Sequence, residues 1–179
     1  STGVVASNAA FTAVFALPSA MSIAIPKGTF RLSCPVAYAT TSAISLKGVG
    51  KGLSVIKLDS GCTPSADYME WRNPAQIVHI EGITLDLNTP ATGSTFGAGL
   101  AFDVDGTNNL LAPQIVDVEV LNFGSSSGGA YGIRMNVGTS TASWTNPLIT
   151  RSRVTKTVAD GATANQCIAT GGSGGSDTT

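Results

Sequence analysis

Ile23-Ala24-Ile25-Pro26-Lys27-Gly28-Thr29-Phe30-Arg31-Leu32 decides the fold, together with Ile44-Ser45-Leu46-Lys47-Gly48-Val49-Gly50-Lys51-Gly52. Two short β-runs meet at a tight Pro-x-Gly turn. A third run enters a Gly-x-Gly-x-Gly corner, and the next strand, Ser54-Val55-Ile56-Lys57-Leu58, follows at once. None of these runs is long enough for a large flat sheet. Their corners fall where a chain winding round an axis must bend, and glycine supplies the positive-φ backbone that such corners need. The reading is a right-handed parallel β-helix, an all-β solenoid of about five coils with a short N-terminal capping helix.

Working outward, Asn8-Ala9-Ala10-Phe11-Thr12-Ala13-Val14-Phe15-Ala16-Leu17 has apolar residues at helical spacing and stops before Pro18. A helix here covers the unpaired edge that a first coil otherwise exposes. From Met21 onward the chain reads as strands only. Gly99-Leu100-Ala101-Phe102-Asp103-Val104 repeats as Gly132-Ile133-Arg134-Met135-Asn136-Val137, about thirty-three residues later. Ile80 to Leu85 repeats as Ile115 to Val120, and again, degraded, as Ile149 to Val154. The expected organisation is a cap over residues 1–20, coils over 21–170, and a Gly/Ser-rich tail or the start of a further coil over 171–179. The polar stretches Thr89 to Gly97, Gly106 to Pro113 and Gly138 to Asn146 read as loops projecting from the solenoid.

Composition narrows the function. The 179 residues carry a formal net charge of −1, and charged residues are 12% of the chain, which gives no electrostatic footprint for nucleic acid. No apolar run reaches membrane-spanning length, so no membrane insertion is expected; no basic n-region opens the chain and no signal peptide is visible, which fits either a chain that starts after one or a protein that never used the general secretory route. Cys34, Cys62 and Cys167 fit neither a zinc spacing nor a disulfide framework, and they read as small core residues. No pattern calls for a metal or a cofactor. The Gly48 to Gly52 run precedes a strand rather than a helix, which excludes a nucleotide loop.

Alternation along the strands sends Leu100, Phe102 and Val104 inward with Ala101 and Asp103 outward. By the repeat, Ile133, Met135 and Val137 point in, and Arg134 and Asn136 point out. Met69 and Trp71 point in one coil earlier, with Glu70 and Arg72 out. The outward columns are therefore Glu70-Ala101-Arg134 and Arg72-Asp103-Asn136, with Arg72 beside Asp103. A row of carboxylate, guanidinium and amide groups suits sugar hydroxyls or uronate carboxylates, and paired carboxylates suit glycosidic hydrolysis. An arginine beside a uronate suits β-elimination instead. The same ladder without chemistry would solvate the solenoid and set its register.

The catalytic candidates are Asp103, Glu70 and Asp86. The substrate-binding candidates are Arg72, Arg134, Asn136, Trp144 and Arg151, the last with Arg153 and Lys156 in a small basic group. Being outward, Arg134 and Asp103 are expected to tolerate alanine without unfolding. His79, the lone histidine, reads as structural.

The stretch from Asn8 to Leu58 resembles the N-terminal region of the pectate-lyase-like superfamily. The carriers are Pro26-Lys27-Gly28-Thr29-Phe30-Arg31-Leu32 and Leu46-Lys47-Gly48-Val49-Gly50-Lys51-Gly52, with Ile80 to Leu87 and Asp117 to Phe123 similar to its later coils. That superfamily includes secreted pectin-degrading enzymes, epimerases, and bacteriophage tailspikes and depolymerases. The resemblance implies a phage tailspike or tail-fibre module on the virion tail, a homotrimer that binds and in some cases cleaves a bacterial capsule or lipopolysaccharide. A secreted lyase or hydrolase acting on a pectin-like glycan is the alternative, and would gain from a calcium-binding aspartate cluster that the sequence lacks. A non-catalytic adhesive solenoid is the third reading.

Overall fold

The computed structural model describes residues 4–33, 38–59, 67–74, 76–88, 97–104, 109–111, 113–123, 130–137, 143–156 and 165–172. After β1 (Val4–Ala6) and α1 (Asn8–Phe15) the chain circulates through three sheets in a constant order. The first coil is β2 (Met21–Ile25), β3 (Gly28–Leu32) and β4 (Tyr38–Thr40); the second is β5 (Ile44–Gly48), β6 (Ser54–Leu58) and β7 (Met69–Arg72). The third coil is β8 (His79–Glu81), β9 (Thr84–Asp86) and β10 (Ala98–Val104). In the fourth, β11 (Asn109–Leu111) precedes β12 (Gln114–Val116), β13 (Glu119–Phe123) and β14 (Ala130–Val137). In the fifth, β15 (Ser143–Thr145) precedes β16 (Leu148–Thr150), β17 (Arg153–Lys156) and β18 (Asn165–Gly172). Every pairing between coils is parallel. The molecule is a parallel β-helix of five coils.

Stacking of like on like builds the core, because each strand buries only alternate residues until a neighbouring coil covers them. In β6, Ser54, Ile56 and Leu58 are buried while Val55 and Lys57 are half-exposed. Ile56 sits over Leu85, which sits over Val120. Trp71, Phe102 and Met135 form a second inward column. The Trp71 and Phe102 rings stack with centroids 5.1 Å apart at 13°, and the Trp71 indole N–H donates to the Ile44 carbonyl at 2.8 Å.

The cap acts as the helical pattern predicts. Phe11 and Phe15 are buried from α1, and Phe15 contacts both Tyr38 and Trp71. The Asn8 side chain imitates a strand backbone, accepting from Ser33 N and donating to Ser33 O, both at 2.9 Å. Ahead of the helix, β1 pairs in parallel with β3. The sequence reading placed no strand there, since Val4-Val5-Ala6 is too short to show alternation. Helix and strand together cover two of the first coil's edges.

Two further expectations change. The stretches Gly106 to Pro113 and Gly138 to Asn146 are not wholly loop, because β11 and β15 within them pair as a small fourth sheet. Cys167 is exposed rather than in the core. Cys34, Cys62 and the loop residues 89–96 lie outside the described residues.

The Gly48 to Gly52 corner is tightly stacked. Gly82 adopts φ +62° and a Cβ there would lie 2.8 Å from the Gly48 carbonyl oxygen. At the equivalent corners of later coils Asp117 and Arg151 take the same left-handed conformation, with φ of 53° and 51°. Lys51 spans these corners, reaching the Arg151 carbonyl at 2.6 Å and Asp117 Oδ1 at 3.2 Å.

Candidate functional site

The outward columns form in the register that the repeat predicts. Glu70 pairs with Ala101 and Ala101 with Arg134, while Arg72 pairs with Asp103 and Asp103 with Asn136. All lie on the sheet β4-β7-β10-β14-β18. Strand alternation alone puts these side chains on one face.

Their surroundings differ from a plain solvated ladder. Every residue of β10 is buried, including the outward Ala101 and Asp103, and Glu70 is only 9% exposed. Arg134 covers Asp103, and Arg72 lies against Glu70. The Arg134 guanidinium reaches back across β10, donating from Nη1 to Asp67 Oδ1 at 3.0 Å and from Nη2 to Asp67 Oδ2 at 2.8 Å. The same Nη2 donates to Asp103 Oδ2 at 2.9 Å. Arg72 turns along its own strand and donates from Nε to Glu70 Oε1 at 2.9 Å. Asp67, just ahead of β7, thus contributes a residue that sequence reasoning missed. Asp67 also accepts from the Ala98 backbone N–H at 2.7 Å, fixing the start of β10. Its only sequence signal is an acid placed just ahead of a strand.

Asp67, Glu70 and Asp103 each bring a carboxylate oxygen within 4.8 Å of the others. Three carboxylates against the two guanidinium groups of Arg72 and Arg134 leave one negative charge if all are ionised. Burial pushes the Asp103 pKa up, Arg134 pulls it down, and the hydrogen bond with Glu70 and the charge of Asp67 raise it again, to about 6. Asp103 therefore keeps its proton in mildly acidic solution. As a metal site the cluster has suitable oxygen donors, but the Arg134 guanidinium already bridges two of the three acids as a cation would.

The remaining candidates stand elsewhere. Asp86 lies on β9 in another sheet, where it accepts from Lys57 at 2.8 Å, Asn122 Nδ2 at 2.7 Å and the Asn88 N–H at 2.9 Å. Burial raises its pKa, but the bonds from Lys57, Asn122 and Asn88 outweigh it and hold the carboxyl below its usual range. It is a structural knot and does not join Glu70 and Asp103. Arg151 occupies a left-handed corner between β16 and β17, away from the columns. Trp144 is on β15 in the small sheet, and its side chain lies outside the described residues. His79 is exposed on β8.

Beside the cluster, a groove of about 560 Å³ runs between the end of α1 and the turn after β4, with Glu70 and Arg72 among its lining residues. Among the described residues no helix is long and apolar enough to cross a membrane. Comparison with known proteins finds no matching family model, no matching curated protein and no matching solved structure.

Proposed function

We propose that this chain is a polysaccharide-binding β-helix module, of the tailspike or tail-fibre kind, that lays a bacterial surface glycan along the sheet containing β7, β10 and β14. One observation carries the reading: Glu70, Arg72, Asp103, Arg134 and Asn136 share one face in register, next to an open groove. A linear chain of repeating sugars matches a surface whose own groups repeat at the strand spacing of about 4.8 Å. Attachment to capsule or lipopolysaccharide, assembly as a homotrimer and a place on the virion tail all belong to this proposal, and the superfamily resemblance supports them.

Hydrolysis is the second reading, favoured by one feature. Asp103 holds a proton up to about pH 6 beside Glu70, the combination of acid and carboxylate that glycoside cleavage uses. Against it, Asp103 and Glu70 are hydrogen-bonded directly to each other, whereas the carboxyl groups of retaining enzymes stand roughly 5–5.5 Å apart with the sugar between them. A lyase gains less support, because both arginines of the face are already bonded to carboxylates.

The test is incubation of the protein with bacterial capsule, with lipopolysaccharide and with polygalacturonate, following both binding and products. Arg72→Ala, which removes an exposed side chain, is expected to weaken glycan binding about tenfold, the loss of one charge-assisted hydrogen bond. Saturated reducing ends that vanish in Glu70→Gln would establish hydrolysis, and unsaturated products absorbing in the ultraviolet would establish a lyase. No binding to any of the three glycans would remove the proposal.

A further inference from the structure

We propose that the groove between the end of α1 and the turn after β4 is a subsite for an uncharged sugar, so that the glycan bound by this face is neutral rather than uronic. The inference rests on the polysaccharide-binding reading and specifies where the chain sits and what it is made of.

The groove's lining is of two kinds. Leu17 and Pro18 on one side and Ala39 on the other present carbon, while Thr41, Glu70 and Arg72 present hydrogen-bonding groups. A pyranose has the same division, with C–H groups on its faces and hydroxyls round its rim. The volume of about 560 Å³ lies within the roughly 300–1,000 Å³ common for small-ligand clefts.

The walls are tied together before any ligand arrives. Ser42 Oγ donates to the Leu17 carbonyl at 2.8 Å, joining the turn after β4 to the end of the helix. The Ser42 N–H donates to Thr40 Oγ1 at 3.0 Å, which closes the turn on itself. Such preorganisation lowers the ordering cost of binding.

Charge selects the sugar class. In the groove's lining Arg72 is bonded to Glu70, and on the adjoining sheet face Arg134 is bonded to Asp67 and Asp103. These groups still exchange hydrogen bonds with hydroxyls, but together they carry no positive charge in surplus. A uronate would have to compete with buried carboxylates for an arginine and would meet net negative charge. A neutral hexose or deoxyhexose meets neither cost.

The experiment uses two probes of equal length, oligosaccharides from a neutral hexose/deoxyhexose O-antigen and oligogalacturonate, titrated calorimetrically into wild type, Ala39→Trp and Thr41→Trp. Both positions are exposed, and an indole at either fills the groove without entering the core. Thermal melts identify a variant that fails to fold, and the other variant then serves. The expected result is binding of the neutral probe, at least tenfold weaker binding of oligogalacturonate, and at least a tenfold loss of neutral binding in the folded Trp variants. Undiminished neutral binding in those variants overturns the groove as a subsite and leaves glycan binding on the sheet standing. Tighter binding of oligogalacturonate overturns the charge argument alone. If neither probe binds, the subsite inference is overturned, and failure of the capsule and lipopolysaccharide assays as well would remove the parent reading.

Discussion

Arg134 holds Asp67 through two parallel hydrogen bonds of 3.0 and 2.8 Å, although the residues are 67 apart in sequence. The same guanidinium holds Asp103, so a single side chain ties three successive coils together on their outer face.

Removing that side chain should destabilise the protein. Arg134→Ala leaves two largely buried carboxylates facing each other without a cation. The expected cost is about 2–4 kcal/mol, somewhat under the 3–5 typical of a fully buried pair because the side chains retain some solvent contact. Arg134→Lys keeps the charge but loses the fork, and should fall between. Urea unfolding midpoints measure both. An Arg134→Ala protein as stable as wild type would restore the sequence-based expectation that this outward residue is dispensable to the fold.

Stability should fall as pH rises across mildly acidic conditions. The Asp103 pKa is raised to about 6 from an ordinary value of 3.8, so between these values the folded state binds more protons than the unfolded. Its contribution is fully present below 3.8 and is lost as pH approaches about 6, beyond which it is flat. Asp86 acts in the opposite sense: its contribution is present above 3.8 and is lost as pH falls through its lowered folded value. Asp103→Asn should abolish the first slope and leave the second. Urea midpoints at fixed ionic strength from acid to neutral pH, for wild type and variant, check this; parallel curves would contradict it.

Phe102→Ala should cost about 3–5 kcal/mol, through lost burial and the cavity left beneath the Trp71 indole. The ring is fully buried between Trp71 and Met135, one coil to either side. Denaturant unfolding followed by tryptophan fluorescence reports both the lost stability and the changed environment of Trp71. A cost under about 1 kcal/mol would mean that the solenoid collapses to refill the space.

Two corner glycines should respond unequally to alanine. At Gly48 a Cβ would lie 2.2 Å from the Gly82 carbonyl oxygen, so the second and third coils would have to separate. At Gly52 nothing lies within 4 Å, and only the left-handed backbone, φ +74°, is strained. Gly52→Ala should therefore cost about 1–2 kcal/mol and Gly48→Ala distinctly more. Thermal unfolding of the pair checks the order, and the reverse order would show that backbone conformation outweighs coil contact here.

Much of the architecture is legible in the chain because a solenoid repeats its local rules. Strand alternation and the repeat of Leu100-Phe102 as Ile133-Met135 are one-dimensional properties, and stacking turns them directly into spatial neighbours. The same logic places Glu70, Ala101 and Arg134 in one column. The capping helix is equally local, set by apolar spacing and a following proline. What depends on reach and direction of side chains is not visible in this way. Asp103 stands beside Arg72 in register, yet its carboxylate is gripped by Arg134 from the next coil. Asp67 enters the cluster from just ahead of β7, in a stretch with no recognisable sequence pattern. Asp86 shares the outward orientation of Asp103 but belongs to another sheet, which alternation within one strand cannot reveal.

From the sequence alone follow the parallel β-helix, its five coils, its helical cap and the two outward columns, because period and alternation act within a few residues of the chain. Only the tertiary structure decides that the outer face is a buried charge cluster, that one acid in it keeps its proton to about pH 6, and that a groove opens where α1 meets the turn after β4. Those properties arise from desolvation and from contacts between coils, and both depend on how closely remote residues approach in space.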